Sequence, residues 1–264
     1  MVARPRTGRL TPGAGPSEHP GRVTAVLADE AVERILVVSA HPDDVDFGAA
    51  GSVAVWTDAG IDVTYCIVTD GAAGGSDRSV SRAEMADIRR AEQTAAAKVV
   101  GVEDVIFVGY PDGRLEPTLD LRRDLSRVMR QVRPQRVIAQ SPERNYQRIY
   151  ASHPDHLAAG EAAMCAVYPD ARNPFAHPEL LEAEGLEPWS VDELWLMAGN
   201  PPSQFVDVTE MFDRKLEALR CHVSQHPDPA RLEPLLRGWL TANAKLAGLP
   251  DGRLAEGFLG IETG

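Results

Sequence analysis

A single α/β domain, with a mainly parallel sheet and helices on both faces, is what this 264-residue chain predicts. Three observations carry the expectation. Short apolar or β-branched runs alternate with longer amphipathic stretches, the βαβα order that builds a parallel sheet with right-handed crossovers. The first run, Ile35 to Val38, is continuously apolar, as a strand covered on both faces must be. Polar clusters rich in His and Asp follow two of these runs directly, so a helix start carries chemistry at a strand's carboxyl end, where open α/β sheets gather ligands.

The first unit is residues 33–51, ERILVVSAHPDDVDFGAAG. The apolar run ends in His41-Pro42-Asp43-Asp44, and the small and apolar residues after it read as a helix stopped near Gly60. Residues 63–69 are a β-branched second strand, followed by the glycine-rich segment 70–75, which lacks the GxGxxG order and reads as a connection or lid. Ser81 with Glu84 forms a capping box for a helix reaching about Val100, and residues 105–108 form a third strand. Tyr110-Pro111-Asp112-Gly113 is a turn, Leu119–Val132 a helix with one apolar face, and Arg136–Gln140 a fourth strand.

A polar loop, 141–150, leads to Ser152-His153-Pro154-Asp155-His156, which opens a helix reaching about Val167. Residues 172–189, with three prolines, read as an irregular excursion before a strand at Glu193–Met197. Two helices, 209–223 and 229–246, are expected to close the chain. Residues 1–22 mix Arg, Pro and Gly with little apolar content and read as a flexible tail before a domain spanning 23–264.

Composition limits the function. Acidic residues outnumber basic ones 39 to 27, giving a formal charge of −12 that repels phosphate backbones and excludes a nucleic-acid footprint. Cys66, Cys165 and Cys221 are far apart with no C-x-x-C spacing, so they read as reduced residues of a cytoplasmic protein. The expected partner is a small molecule, with no membrane insertion, and a homo-oligomer stays open.

His41 and Asp44 stand at i and i+3 on a helix start, and a parallel sheet brings His156 to the same rim. Two imidazoles and a carboxylate around an open position are the pattern of catalytic zinc, which binds its ligands at ~2.0–2.2 Å. Asp43, beside a ligand, is placed to take a proton from water whose acidity the metal raises. His153 stands ready to donate to the oxyanion formed at a carbonyl, with Asp155 fixing its tautomer. Taken singly, each of these residues is more readily a helix cap or a turn residue than a ligand. Two HPD triplets at the same topological place are hard to obtain as unrelated caps. A third, His226-Pro227-Asp228, has no strand before it and reads as a loop, and His177 is equally a rim residue or a bystander.

At AHPDDVDFGAAG and SHPDHLAAG the chain resembles the zinc-dependent LmbE-like, or PIG-L, family of N-deacetylases. The likeness extends through IRRAEQTAAAKVVGV, VGYPDG, ARNPF, KLEALRCHVSQ and AEGF. It implies a Rossmann-like fold, one zinc (Zn2+) per chain held by His41, Asp44 and His156, Asp43 as general base, His153 as oxyanion partner or acid, and Asp155 orienting His153. Arg89 and Glu92 match a helix motif with a mainly structural role. Asp46 stands where many members have Glu, and Tyr150 is displaced by one position from the tyrosine some members place before HPDH. The activity implied is hydrolysis of an N-acetyl group on a glucosamine-containing small molecule or glycoconjugate. Its rivals are an amidase of a thiol-glucosaminyl conjugate and, in another class, a non-catalytic sugar- or nucleotide-binding module. Loops near 71–78, 141–150 and 172–189 are expected to meet the rest of the substrate.

Overall fold

A computed structural model describes residues 27–264 apart from Gln147 and Pro227; the expected tail, 1–22, lies outside the described residues. Strand β1 (Arg34–Ser39) is followed by two short helices, α1 (Asp44–Gly48) and α2 (Ala50–Asp58). Then come β2 (Asp62–Thr69), α3 (Arg82–Val99), β3 (Asp104–Tyr110), α4 (Leu119–Val132), β4 (Arg136–Gln140), α5 (Pro154–Cys165), α6 (Pro178–Glu182) and β5 (Glu193–Met197). The chain finishes with β6 (Gln204–Asp207), α7 (Phe212–Arg220), α8 (Leu232–Leu246) and β7 (Ala255–Glu262).

These strands form one seven-stranded sheet in the order β3-β2-β1-β4-β5-β7-β6. The first five are parallel, and β7 pairs antiparallel with both β5 and β6. The expected parallel sheet is therefore present, but the last two strands were not foreseen. Strand β6 is short and follows two prolines, and β7 alternates apolar residues with Gly and Glu, so neither shows the apolar run of a doubly covered strand. The expected single helix after the first cluster breaks at Ala49 into α1 and α2.

Both faces of β1 are covered, which explains its composition. Ile35 and Val37 join Val53 and Trp56 of α2 and Ala96 of α3 in one core, whereas Leu36 and Val38 join Leu121 of α4 and Ala159 of α5 in another. Each of the Val, Leu and Ile side chains among these, removed from water, contributes about 1.5–3 kcal/mol before conformational entropy is charged. A third cluster joins Leu216 and Leu219 of α7 to Leu236 and Leu240 of α8. Among the described residues no helix is long and apolar enough to cross a membrane.

The order of strands fixes the site. From β1 the chain steps outward to β2 and β3, then returns to place β4 on the other side of β1, so the connections part between β1 and β4. A crevice opens at that switch point, outside the carboxyl ends of the strands. Both His/Asp clusters lie there, one after β1 and one ahead of α5.

Candidate functional site

The turn after β1 is held from three sides. The Ala40 N–H donates to Gln140 Oε1 of β4 at 2.8 Å, and the His41 N–H donates to Asp44 Oδ2 at 2.7 Å. Between them Asp43 adopts φ +90°, a left-handed conformation that a residue other than Gly accepts only when its surroundings impose it. What imposes it is Gln93, buried in α3, whose Oε1 accepts the Asp43 N–H at 2.8 Å.

The Asp44 carboxylate lies between two imidazoles. Its Oδ2 is 3.2 Å from His41 Nδ1, and its Oδ1 is 3.0 Å from His156 Nε2. One nitrogen each of His41, His153 and His156 lies within 4.8 Å of the others. The remaining ring nitrogens are engaged: His41 Nε2 faces Asp155 Oδ2 at 3.2 Å and Asp112 Oδ1 at 3.3 Å, and His156 Nδ1 faces the Ala151 carbonyl at 3.4 Å. The hydrogen bond on the far nitrogen of each ring holds one proton there, so it is the proton on His41 Nδ1 and on His156 Nε2, facing Asp44, that a cation would displace. Deprotonated at those two atoms, the rings and the carboxylate between them form a donor set for a divalent cation, and these residues fit one.

Electrostatics agree with the geometry. Burial opposes charge on His41, but Asp44, Asp112 and Asp155 together push its pKa up to about 12, so without a cation the imidazole itself carries the positive charge the carboxylates demand. Burial pushes Asp44 up, yet His156 and His41 outweigh it and hold its carboxyl well below the usual range. Burial lowers His153, and the nearby His41 and His156 lower it further, so its ring stays neutral. His153 Nδ1 accepts the Asp155 N–H at 3.2 Å, which leaves Nε2 with the proton and able to donate. Burial and the Asp44 charge raise Asp43 to about 7, against Arg89, His222 and His41, which lower it. Arg89 is itself buried, with Nη2 3.4 Å from Asp43 Oδ2 and a hydrogen bond to the Pro42 carbonyl.

All six residues singled out from the sequence converge, although one contact differs from expectation. The Asp155 carboxylate does not hold His153. It accepts the N–H groups of Gly113 at 2.7 Å and Leu115 at 3.2 Å and faces His41, while the Asp155 backbone N–H orients His153. Asp112, read from sequence as a turn residue, lies against His41 because the turn after β3 folds over the crevice. Its sequence signals were its place just past a strand on the same rim and its membership of the VGYPDG stretch, neither of which names a partner. Glu92 accepts the N–H and hydroxyl of Ser224, a structural tie. His177 pairs with Asp170, and the His226 ring packs edge-on against Phe47.

Beneath the turn lies a buried polar network that sequence reasoning passed over. Gln93 Nε2 donates to Asp46 Oδ2 at 2.9 Å, and His222 Nε2 meets the same oxygen at 2.8 Å. Lys215 Nζ donates to the Asp46 and Phe47 carbonyls, each at 2.7 Å, and to Glu256 Oε1 at 2.6 Å. Glu256 accepts in turn from Gly51 N and Ser52 N, satisfying the first free N–H groups of α2.

The cluster opens onto a cavity of about 660 Å³, walled by Phe47, Met197, Leu235, Leu236 and Trp239 as well as Asp44 and His156. Arg148 and Tyr150 bring the 141–150 loop to its edge, as expected of that loop. The loops 71–78 and 172–189 do not line it; α8 supplies the facing wall instead.

An α/β protein with a His/Asp/His donor set that fits a divalent cation, a buried carboxylate pushed above its usual range and a neutral imidazole beside a cavity has the groups that metal-assisted hydrolysis calls for. The profile of the GlcNAc-PI de-N-acetylase (PIG-L) family matches residues 36–167, and the chain belongs to that family as an N-deacetylase. It is 33% identical over 229 residues to the diacetylchitobiose deacetylase of Thermococcus kodakarensis, covering 86% of this chain and 82% of that one. It is 32% identical to a probable N-acetyl-alpha-D-glucosaminyl L-malate deacetylase 2 of Bacillus cereus, over 72% of this chain and 83% of the relative. Among solved structures, the N,N'-diacetylchitobiose deacetylase from Pyrococcus horikoshii, complexed with its inhibitor MPG, superposes with a TM-score of 0.82. The identity is 32%, over 89% of this chain and 85% of that one.

Proposed function

We propose that this enzyme hydrolyses the N-acetyl group of a glucosamine-containing small molecule or glycoconjugate, releasing acetate and a free amine. The proposal includes one zinc per chain, which His41, Asp44 and His156 would hold. The observation that carries it is Asp44, bridging the two imidazoles at 3.2 and 3.0 Å on the wall of a cavity large enough for a sugar conjugate.

When bound, zinc supplies Lewis acidity, polarising the amide carbonyl and making water easier to deprotonate. The protein supplies the rest. Asp43, a buried carboxylate beside Asp44, is the group that would take a proton from the attacking water. The strained backbone and the Gln93 clamp fix where that carboxylate points. His153, neutral and protonated on Nε2, donates to the oxygen on which negative charge grows, an effect worth roughly 10²–10³ in rate. As the C–N bond breaks, the nitrogen leaves with a proton returned by Asp43 or given by His153, and acetate remains. Asp155 and Asp112 keep the His41 proton on Nε2 and so its lone pair on Nδ1.

Free Cys66, Cys165 and Cys221 suit a reducing compartment, and we take the enzyme to be cytoplasmic. The test is acetate release from N-acetylglucosamine, N,N'-diacetylchitobiose and N-acetylglucosaminyl malate, before and after chelation, with elemental analysis of the purified protein. Stoichiometric zinc, loss of activity on chelation and recovery on adding zinc are expected. Undiminished acetate release from metal-free protein, or near-native rates in Asp43→Ala, would overturn the mechanism.

A further inference from the structure

The 660 Å³ cavity is too large for one sugar ring and does not end at its apolar walls. At Arg148, Ala198 and Trp239 it meets a second compartment of about 230 Å³, and those residues line both. The two compartments differ in chemistry. The first is walled mostly by carbon, whereas the second is lined by Asn145, Asn200 and Asn243 and by no acidic residue.

Arg148 stands at the junction. Its guanidinium lies 4.8 Å over the Trp239 ring and 5.6 Å from the Tyr150 ring, and its Nε donates to the Tyr150 hydroxyl at 3.3 Å. Among the described residues no carboxylate pairs with it. Arg122, Arg127 and Arg136, by contrast, each hold a carboxylate within 2.8 Å. A guanidinium propped between two rings is pre-organised, and its terminal N–H groups suit bidentate binding of a planar oxyanion. A neutral second sugar would need an open aromatic platform, but Arg148 covers a face of Trp239.

We propose that this junction is an oxyanion subsite: the group attached to the N-acetylated sugar carries a carboxylate or phosphate that Arg148 binds, with the amides of the outer compartment completing its hydrogen bonds. The proposal rests on the deacetylase reading for the sugar at the His/Asp cluster. The substrate is then tripartite, with an acetamido sugar at the cluster, an apolar span along Phe47, Met197 and Leu235, and an acidic end at Arg148.

The experiment uses zinc-loaded full-length protein and phenyl N-acetylglucosaminides, both anomers, that differ only at the para position: hydrogen, carboxylate or phosphate. Acetate release gives kcat/KM for each, and calorimetry gives Kd for the corresponding glucosaminide amines. Wild type should favour an acidic compound over the unsubstituted one by roughly tenfold or more in both measurements, as expected of a charge-assisted hydrogen bond. In Arg148→Met that ratio should fall to about one, and in Arg148→Lys part of it should survive. Because each ratio is internal to one variant, partial misfolding does not imitate the result. The carboxylate and phosphate arms show which acid is preferred. Equal handling of neutral and acidic compounds by wild type, or selectivity that persists in Arg148→Met, overturns the subsite. Selective amine binding that depends on Arg148, without acetate release from any compound, upholds the subsite and overturns the deacetylase reading.

Discussion

Gln93 Oε1 accepts the backbone N–H of Asp43 at 2.8 Å, joining the middle of α3 to a residue held at φ +90°. The other end of the same amide donates to Asp46, so one buried side chain fixes both ends of the turn that carries the proposed base. Replacing Gln93 by Met keeps the volume but leaves the Asp43 N–H and the Asp46 carboxylate short of a partner, at a cost of about 1–3 kcal/mol each. Urea unfolding of Gln93→Met should show that loss. At saturating substrate kcat should fall at least tenfold with KM little changed, because the base, not the binding surface, has moved. A kcat near wild type would show that the clamp is dispensable.

The protonation of Asp43 gives a pH signature in the chelated protein. Its folded pKa of about 7 exceeds the ordinary value near 3.8, because burial and Asp44 outweigh Arg89, His222 and His41. The folded chain therefore keeps a proton that the unfolded chain releases. The stability this contributes is complete below the unfolded pKa and is lost as pH rises through about 7. Asp43→Asn escapes the loss. With chelator present, its melting temperature should gain on wild type between pH 5 and pH 8, by the equivalent of about 1–3 kcal/mol. A gap independent of pH would mean that Asp43 does not titrate there.

Gly160 lets α5 lie against the end of β4. A Cβ there would strike the Gln140 carbonyl oxygen and sit 3.0 Å from Pro142 N, both backbone atoms that cannot turn aside. Gly160→Ala should push away the helix that presents His156, destabilising the protein by about 1–3 kcal/mol. Zinc affinity, read by competition with a chromophoric chelator, should weaken as well. Gly238, inside α8 with nothing near its absent Cβ, is the control: Gly238→Ala should stabilise by about 0.5–1 kcal/mol. Equal effects at the two positions would refute the packing argument.

Lys215 and Glu256 form an ion pair at 2.6 Å in which both side chains are essentially inaccessible to water. Removing one partner strands the other charge, so Lys215→Met should destabilise by about 3–5 kcal/mol in chemical unfolding. The Asp46 and Phe47 carbonyls would lose their donor as well, so α1 should lose protection in hydrogen exchange. A loss under 1 kcal/mol would mean the pair is not needed to hold α1.

The two HPD turns and the five parallel strands were legible because each left a local signature. A strand covered on both faces must be apolar throughout, and few side chains besides His, Asp, Glu and Cys offer a cation a donor atom. Strands β6 and β7 left none, since their pairing satisfies backbone groups with little demand on side chains. The contacts of Asp112, Gln93, Lys215 and His222, residues that the family-like stretches contain, were illegible for another reason. A lone polar residue on a helix or turn looks alike whether it faces solvent or a buried partner, and their partners lie from 39 to 176 positions away.

Sequence alone determined the donors: which imidazoles and carboxylates this chain could offer a cation, and that they follow strand ends, because residue chemistry and hydrophobic period are properties of short stretches. The folded chain decided what each donor does. Only when β1 and β4 lie side by side does Asp44 reach both rings, and only when the turn after β3 closes over them is the His41 proton held on one nitrogen. Only the packing of α8 across the crevice gives the apolar cavity with Arg148 over the Trp239 ring at its far end. Those outcomes depend on distances between segments far apart in the chain, which no short stretch of residues encodes.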